Sequence, residues 1–406
     1  MLYMLATKLK RESIVKRDFS TFGYKFSLES EDEFVQNDAA VILSSLIEFD
    51  FRKLTHGFST FIDVGIDVDF IYNDFLPRVE KDMKLVCILD YRKLSFSYTL
   101  SYIEDVFEKL SVENISTCVF NFNPGESEIS DNILKRISFI MVPVSVNPEV
   151  YAPYVNMGIS LICKDINSME EMDIALKNEL FSYYMGYYIE SPKNLNINRI
   201  EKPSSMITEL FIKLRTPEDL KEAIDIIKRS PELTFSILKF INSAFFPIPS
   251  RVSSVEAAVT LLGFNNLKKW VNLVFLSSSV PNPAKNVYVE KAVARAYFME
   301  KVCKLIDSTK APTAYMAGIL SFMDVLLGKS FQEIFEDIPV SPDVAEALIE
   351  GKSIFAELLD LVRAFEFQDK EKIDFYVSKY NLNKDRVERI YLEALYEYDR
   401  FIEAIR

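Results

Sequence analysis

The chain has 406 residues, 49% hydrophobic and 26% charged, enough for two globular domains with real cores. Its net charge of −13, with neither half basic, excludes nucleic-acid or anionic-membrane binding through a general positive field. Ten glycines and one histidine leave little material for phosphate loops and none for a two-histidine metal site.

The N-terminal run MLYMLATKLKRESIVKR has an apolar stretch too short for a signal-peptide core. No run approaches the roughly 18 apolar residues of a spanning helix, so the cytoplasm is the expected location and no membrane partner is expected. Cys87, Cys118, Cys163 and Cys303 are dispersed, three of them in apolar runs, as buried thiols of a reducing compartment would be. No Cys/His pairing supports a zinc site.

Short β-branched or aromatic runs follow at Gly23–Leu28, Phe58–Val64, Lys84–Asp90, Ser116–Phe122, Phe139–Val144 and Ile159–Cys163. Helical patterns lie between them, at Asn37–Leu54 and Thr99–Leu110. Strands apolar on both faces and alternating with helices predict a helix-covered parallel sheet, either a closed βα barrel or an open sheet. His56, in LTHGF beside Gly57, reads as a loop or helix-end residue. Asp63 and Asp90 fall at strand ends, and Asp67, Asp69 and Asp74 read as solvated loop acids. An all-carboxylate Mg²⁺ or Ca²⁺ site would have to be built from such groups, and two scattered acids do not make a ligand shell.

The character changes near Pro203, and the linker is placed at Pro192–Ser205. Thr216-Pro217-Glu218-Asp219 predicts a helix start with proline in its first turn. Helical patterns continue through Glu232–Asn242, Ser254–Leu262, Leu267–Ser277, Val289–Leu305, Thr313–Leu327, Asp343–Ile349 and Asp385–Ile405. Asn242-Ser243 ends one of them and is expected to bond local backbone groups. Gly263 follows another as a C′ glycine should. Phe245-Phe246 and Trp270 read as core. Lys268-Lys269-Trp270 is the one candidate for a local nucleic-acid patch, and a solvated helix face explains it equally well. Ser277-Ser278-Ser279 matches no nucleophile elbow, and no phosphate-loop or dinucleotide motif occurs.

Two resemblances become readable on these runs. GYKFSLES, LTHGFSTFIDVG, ISFIMVPVS and FSYYMGYYIESP keep the order of strands in the EAL family, the βα-barrel phosphodiesterases of cyclic di-GMP. FSYYMGYYIESP, which resembles FDYFQGYFFSKP, is the most specific of the four. The resemblance implies a degenerate EAL-like TIM-type barrel over residues 1–200. It also implies that the working positions are changed. The family's metal-binding Glu falls on Lys25 and its phosphate-facing Arg on Glu29. The Asn ligand of the next strand falls on Asp63, the one plausible survivor. The third strand's Glu falls near Cys87, the paired acids of the fourth on Phe120-Asn121, the Lys of the fifth on Met141, and the last strand's Gln on Met185.

The stretch SPELTFSILKFINSAFFPIPSRVSSVEAAVTLLGFNNLKKWV resembles the HDOD family, a non-catalytic offshoot of the HD phosphohydrolases, and implies an α-helical HDOD-like domain over residues 201–406. Asn242, Ser243, Ala244, Phe245 and Gly263 carry that signature. AGILSFMD resembles the segment in which HD enzymes hold a metal-binding His-Asp, and those two positions are Ser321 and Phe322. The two resemblances together imply a bacterial EAL–HDOD signalling protein without catalytic residues, metal or cofactor. Its expected partner is an unidentified signalling protein, with extensive contact between the two domains. Neither nucleic acid nor cyclic di-GMP is an expected ligand. The alternatives are a cyclic di-GMP receptor that binds without hydrolysis and a residual metal-dependent phosphodiesterase.

Overall fold

A computed structural model describes residues 9–28, 38–48, 54–64, 71–80, 83–125, 129–192, 205–214, 216–242, 251–278, 286–338 and 340–405. The chain divides into two compact units, Met1–Lys193 and Asn194–Arg406.

The first unit is a closed barrel of eight strands in sequential order. They are β1 (Leu9–Val15), β2 (Thr21–Leu28), β3 (Ser59–Asp63), β4 (Leu85–Asp90), β5 (Ser116–Phe120), β6 (Phe139–Pro143), β7 (Ser160–Lys164) and β8 (Phe181–Tyr184). Six were expected from the apolar runs, and the closed form of the two open alternatives is the one adopted. β1 runs antiparallel to β2 over a full register from Leu9 opposite Leu28 to Val15 opposite Thr21, and β2 to β8 are parallel. Closure is thin, since among the described residues β1 pairs with β8 at Val15 opposite Tyr184 alone. The outer helices of seven or more residues are α1 (Asp38–Glu48), α2 (Tyr91–Ser97), α3 (Leu100–Val112) and α4 (Met169–Lys177). α1 covers Asp38–Glu48 of the pattern Asn37–Leu54, and residues 37 and 49–53 lie outside the described ones.

Period-2 alternation sorts the strand side chains between barrel interior and helix layer. Ile14, Phe61, Val86, Ile88, Cys118, Met141, Ile162 and Met185 form one buried cluster, with Phe22, Phe120, Phe139 and Tyr183 packed on it. Phe22 stacks on Tyr183 with centroids 3.9 Å apart. The interior is therefore filled by side chains, as small barrels require. The specific run FSYYMGYYIESP turns out to be the closing corner. Gly186 sits at φ 149°, and a Cβ there would lie 2.4 Å from both the nitrogen and the oxygen of Ile166. Past it, the buried Glu190 accepts the backbone N–H of Ser13 at 2.6 Å, satisfying a β1 donor that β8 does not reach.

The second unit is helical among its described residues. Its helices of seven or more residues are α5 (Ser205–Lys213), α6 (Leu220–Arg229), α7 (Pro231–Ile241), α8 (Val255–Ser278), α9 (Val287–Ile306), α10 (Ala311–Leu320), α11 (Phe331–Asp337), α12 (Ser353–Phe367), α13 (Lys370–Lys379) and α14 (Lys384–Ile405). Asp219 Oδ2 accepts the Thr216 N–H at 2.6 Å, so the expected start before α6 is capped from within. α8 contains a turn at Gly263 (φ 68°, ψ 171°), which separates the two segments read as distinct helices. The expected single helix Thr313–Leu327 is instead two, α10 and Met323–Leu327, broken at Ser321–Phe322. α9 is the central helix, packing against α10, α12 and α14. It crosses α10 closely because Gly318 has no side chain; a Cβ there would meet the Ala296 Cα at 2.6 Å.

Candidate functional site

The C-terminal mouth of the barrel is where βα folds place chemistry. Lys25 reaches it from β2, half-buried, its ammonium 4.0 Å from Glu12 on β1. Glu12 also takes Lys10 at 3.1 Å. Asp63 ends β3 and is exposed. Lys25 and Asp63 act on the same thiol: burial pushes Cys118 up strongly, Lys25 draws it back and Asp63 opposes that. Both groups therefore lie within electrostatic reach of one buried sulfur.

The next strands bring a cap and not an open carboxylate. Asp90, buried at the end of β4, is the N-cap of α2. One oxygen accepts the Lys93 N–H at 3.1 Å, and the other takes the Asn121 amide at 3.0 Å. Asn121 stands in the left-handed region (φ 52°), which directs its side chain back to Asp90. Phe120, Met141 and Met185 belong to the apolar interior. Cys87 does not: the cluster takes Val86 and Ile88, and alternation turns Cys87 to the outer face, where burial pushes its thiol up strongly. Cys87, near which the third strand's Glu falls, is thus a helix-facing position. Glu29, Asp67 and Asp69 lie outside the described residues, and Asp74 falls in the helical turn Ile71–Phe75. His56 has φ 50°, and its Nε2 lies 3.5 Å from the Arg11 guanidinium, which also donates to the Leu54 carbonyl at 3.0 Å. Among the described residues no three His, Cys, Asp or Glu side chains are grouped so as to hold a metal ion.

The second candidate place is the helix break at Ser321–Phe322. Both residues are buried, and Arg295 from α9 lies against both. Its Nη1 donates to the Ser321 hydroxyl at 3.4 Å, and its guanidinium sits 4.0 Å from the Phe322 ring centre. On its other side Nε and Nη2 donate to the two oxygens of Glu366 at 2.8 and 2.6 Å, a bidentate pair. Arg295 is 1% and the Glu366 side chain 7% exposed, so the pair is out of water. Burial pushes the Glu366 carboxyl up, but Arg295, Lys291 and Arg363 outweigh it and hold it below the usual carboxylate range. Sequence reasoning missed both residues. The available signal was in VYVEKAVARAYFMEKV: charges at 290, 291, 295 and 300 leave this helix no separate polar face, so some must be buried.

A second, half-buried pair accounts for the suspected basic run. Lys269 donates to Glu300 at 2.6 Å, and Lys304 donates to its other oxygen at 2.8 Å. Lys269 also lies 5.0 Å from the Tyr315 ring centre, and Trp270 is fully buried. Lys268-Lys269-Trp270 is therefore no continuous patch. The signature asparagine acts locally: the Asn242 amide donates to the carbonyls of Leu238 (2.6 Å) and Val252 (2.8 Å), and its oxygen accepts the Val252 N–H at 2.8 Å. It ties α7 to the approach to α8 across residues 243–250, which include Ser243, Ala244 and Phe245 and lie outside the described ones.

Residues 201–347 match the HDOD domain family. The helical region carries an HDOD domain. Both the Arg295–Ser321–Phe322 contact and the Asn242 clamp lie within it, while Glu366 comes from the helix layer beyond residue 347. The whole chain is similar to an uncharacterized protein, YuxH, of Bacillus subtilis, 22% identical over 95% of this chain and 96% of that one. A second relative is the cyclic di-GMP phosphodiesterase CdgJ of Vibrio cholerae, 24% identical over 53% of this chain and half of that protein's length (50%). The barrel matches solved EAL structures. One is the EAL enzyme Bd1971 in its cAMP- and cyclic-di-GMP-bound form, with 15% identity, 45% of this chain and 60% of that one, and a TM-score of 0.36. A likeness of that size decides nothing about chemistry. No helix among the described residues is long and apolar enough to cross a membrane.

Proposed function

We propose that the chain is a non-catalytic signalling scaffold, built on a barrel of the cyclic di-GMP phosphodiesterase type and an HDOD domain, that acts by engaging a signalling protein. The observation that carries this reading is the barrel interior. Met141, Met185 and Phe120 extend its apolar filling toward the mouth, where Lys25 brings a cation. Divalent ions need oxygen ligands and negative charge, and an ammonium at the mouth opposes their binding. Hydrolysis by a metal-activated water then lacks its nucleophile. Asp90, the buried carboxylate of the mouth, is committed to capping α2. Exposed Phe235 on α7 and Leu261 on α8 give the HDOD domain apolar contacts to offer a protein.

The similarity to CdgJ favours one second reading, a receptor that binds cyclic di-GMP without cleaving it. Calorimetry of the full chain with cyclic di-GMP, with and without Mg²⁺, separates the two, and the same samples are assayed for turnover. The scaffold reading expects neither heat nor product at high micromolar nucleotide. Heat without product establishes the receptor. Product formation removes the scaffold reading altogether.

A further inference from the structure

The barrel unit carries one stretch whose chemistry runs against the rest of the chain. Between Asp90 and Glu104 there is no acidic residue, in a chain with 60 acids and a net charge of −13. This run builds α2, an elbow at residues 98–99 and the first turn of α3. α2 is held firmly on its inner side: Asp90 caps it, Tyr91 and Leu94 are buried, and the Tyr91 ring meets Phe122 edge to face at 5.4 Å. Its outer side presents Arg92, Lys93 and Phe96 to solvent. At 80%, Phe96 is the most exposed large apolar side chain among the described residues. Tyr98 and Tyr102 stack across the elbow with centroids 5.0 Å apart, and Leu100, between them in sequence, is exposed.

Three features make this surface positive. Arg92 makes no ion pair among the described residues, and Lys93, with its side chain 72% exposed, reaches Asp90 only at 3.9 Å. α3 starts with no side-chain cap and no acid in its first turn, so its first N–H groups add the positive end of a helix dipole. A single exposed apolar side chain is ordinary, but aromatic and arginine side chains on a rigid support are what protein interfaces select. Charge then selects the occupant. Two cations and a helix end match a few carboxylates, and Phe96 with the tyrosine pair matches apolar side chains beside them. A nucleic-acid strand brings one charge per nucleotide, which two cations do not offset and the rest of the chain repels.

We propose that α2 and the start of α3 form a docking face for a segment of another protein that carries carboxylates among apolar side chains. This face presupposes the scaffold reading above and gives its partner a chemistry. The probe is a labelled peptide of three Glu-Phe-Asp-Leu repeats, titrated with the full chain by fluorescence anisotropy. Its counterparts replace the acids by Lys or the apolar residues by Ser, and an oligouridylate serves as competitor. The acidic apolar peptide is expected to saturate, with both counterparts at least tenfold weaker and with affinity falling as salt rises. Arg92→Ala/Lys93→Ala and Phe96→Ser each weaken it at least fivefold, and Arg92→Lys retains it. Circular dichroism establishes which variants are folded, and those decide. The proposal is overturned if the peptide does not saturate, if the lysine counterpart binds as well, if the folded variants bind as the parent does, or if oligouridylate displaces the peptide at equal concentration. Such a result, with neither heat nor product from cyclic di-GMP, leaves a scaffold that docks through another face. Heat or product from cyclic di-GMP removes the scaffold reading itself.

Discussion

Arg295→Met costs about 3–5 kcal/mol of stability in urea titration, the loss expected when one partner of a buried ion pair is removed and the other stays buried and charged. Against a total of about 5–15 kcal/mol for a typical domain, that brings the helical unit close to unfolding. Glu366→Gln has the same sign, because it leaves the guanidinium at 1% exposure facing a neutral amide. The double replacement Arg295→Met/Glu366→Leu recovers most of the loss, since a desolvated pair exchanged for packed apolar groups is often neutral or better. A single-variant loss below about 1 kcal/mol would show that the pair is solvated and that this account is wrong. The pair also sets a pH dependence. Glu366 is depressed in the folded state, so its contribution is complete above the unfolded glutamate pKa of about 4.3 and is lost as pH falls through the lower folded value. The acid sensitivity of the parent below that pH is expected to be blunted in the double variant.

Gly186→Ala destabilises the barrel by about 2–4 kcal/mol, combining an overpacking term with backbone strain. The added Cβ would lie 2.4 Å from two backbone atoms of Ile166, and φ 149° is a conformation that L residues avoid. The neighbourhood has no flexible side chain to move aside, because the contacts are main chain. The Tyr188 N–H donates to the Ile166 carbonyl at 2.9 Å, so displacing residue 166 also strains the turn that carries Glu190. The urea midpoint and near-ultraviolet circular dichroism report the effect. A variant with an unchanged midpoint would mean that the corner has room that its geometry denies.

The barrel was legible where strands are apolar on both faces. β4 (LVCILD) is buried at every position and stands out from its surroundings. β1 (LKRESIV) carries Lys10, Arg11 and Glu12, because an antiparallel strand at the seam buries only part of its length, and so it does not read as a strand. β8 has four residues, too few for a periodicity, and only the resemblance in FSYYMGYYIESP pointed to it. α12 (SIFAELLDLVRAFEF) is amphipathic and was readable in principle. Lys25, Met141 and Met185 were placed by the resemblance, not by alternation. In the uniformly apolar β4 it could not assign Cys87. The Arg295–Glu366 pair was beyond sequence reasoning for another reason: its members are 71 residues apart, and no local pattern joins them.

The thin closure between β1 and β8 has a consequence for motion. The other junctions are ladders of two to seven pairs, whereas the seam is spanned by one backbone pair, the Glu190–Ser13 bond and the contacts of Arg17 with Leu176, Asn178 and Tyr184. Opening there breaks a single backbone pair, with side-chain bonds beside it, and exposes Ile14 and Met185 to water while leaving the other ladders intact. The amides of β1 that face β8 are expected to exchange with deuterium well before those of β4 and β5, and Glu190→Ala to widen that gap. Uniform exchange around the ring would show that the barrel opens as one unit. The first strand then behaves as a latch, and an apolar lumen that is sealed on average becomes transiently accessible from one side.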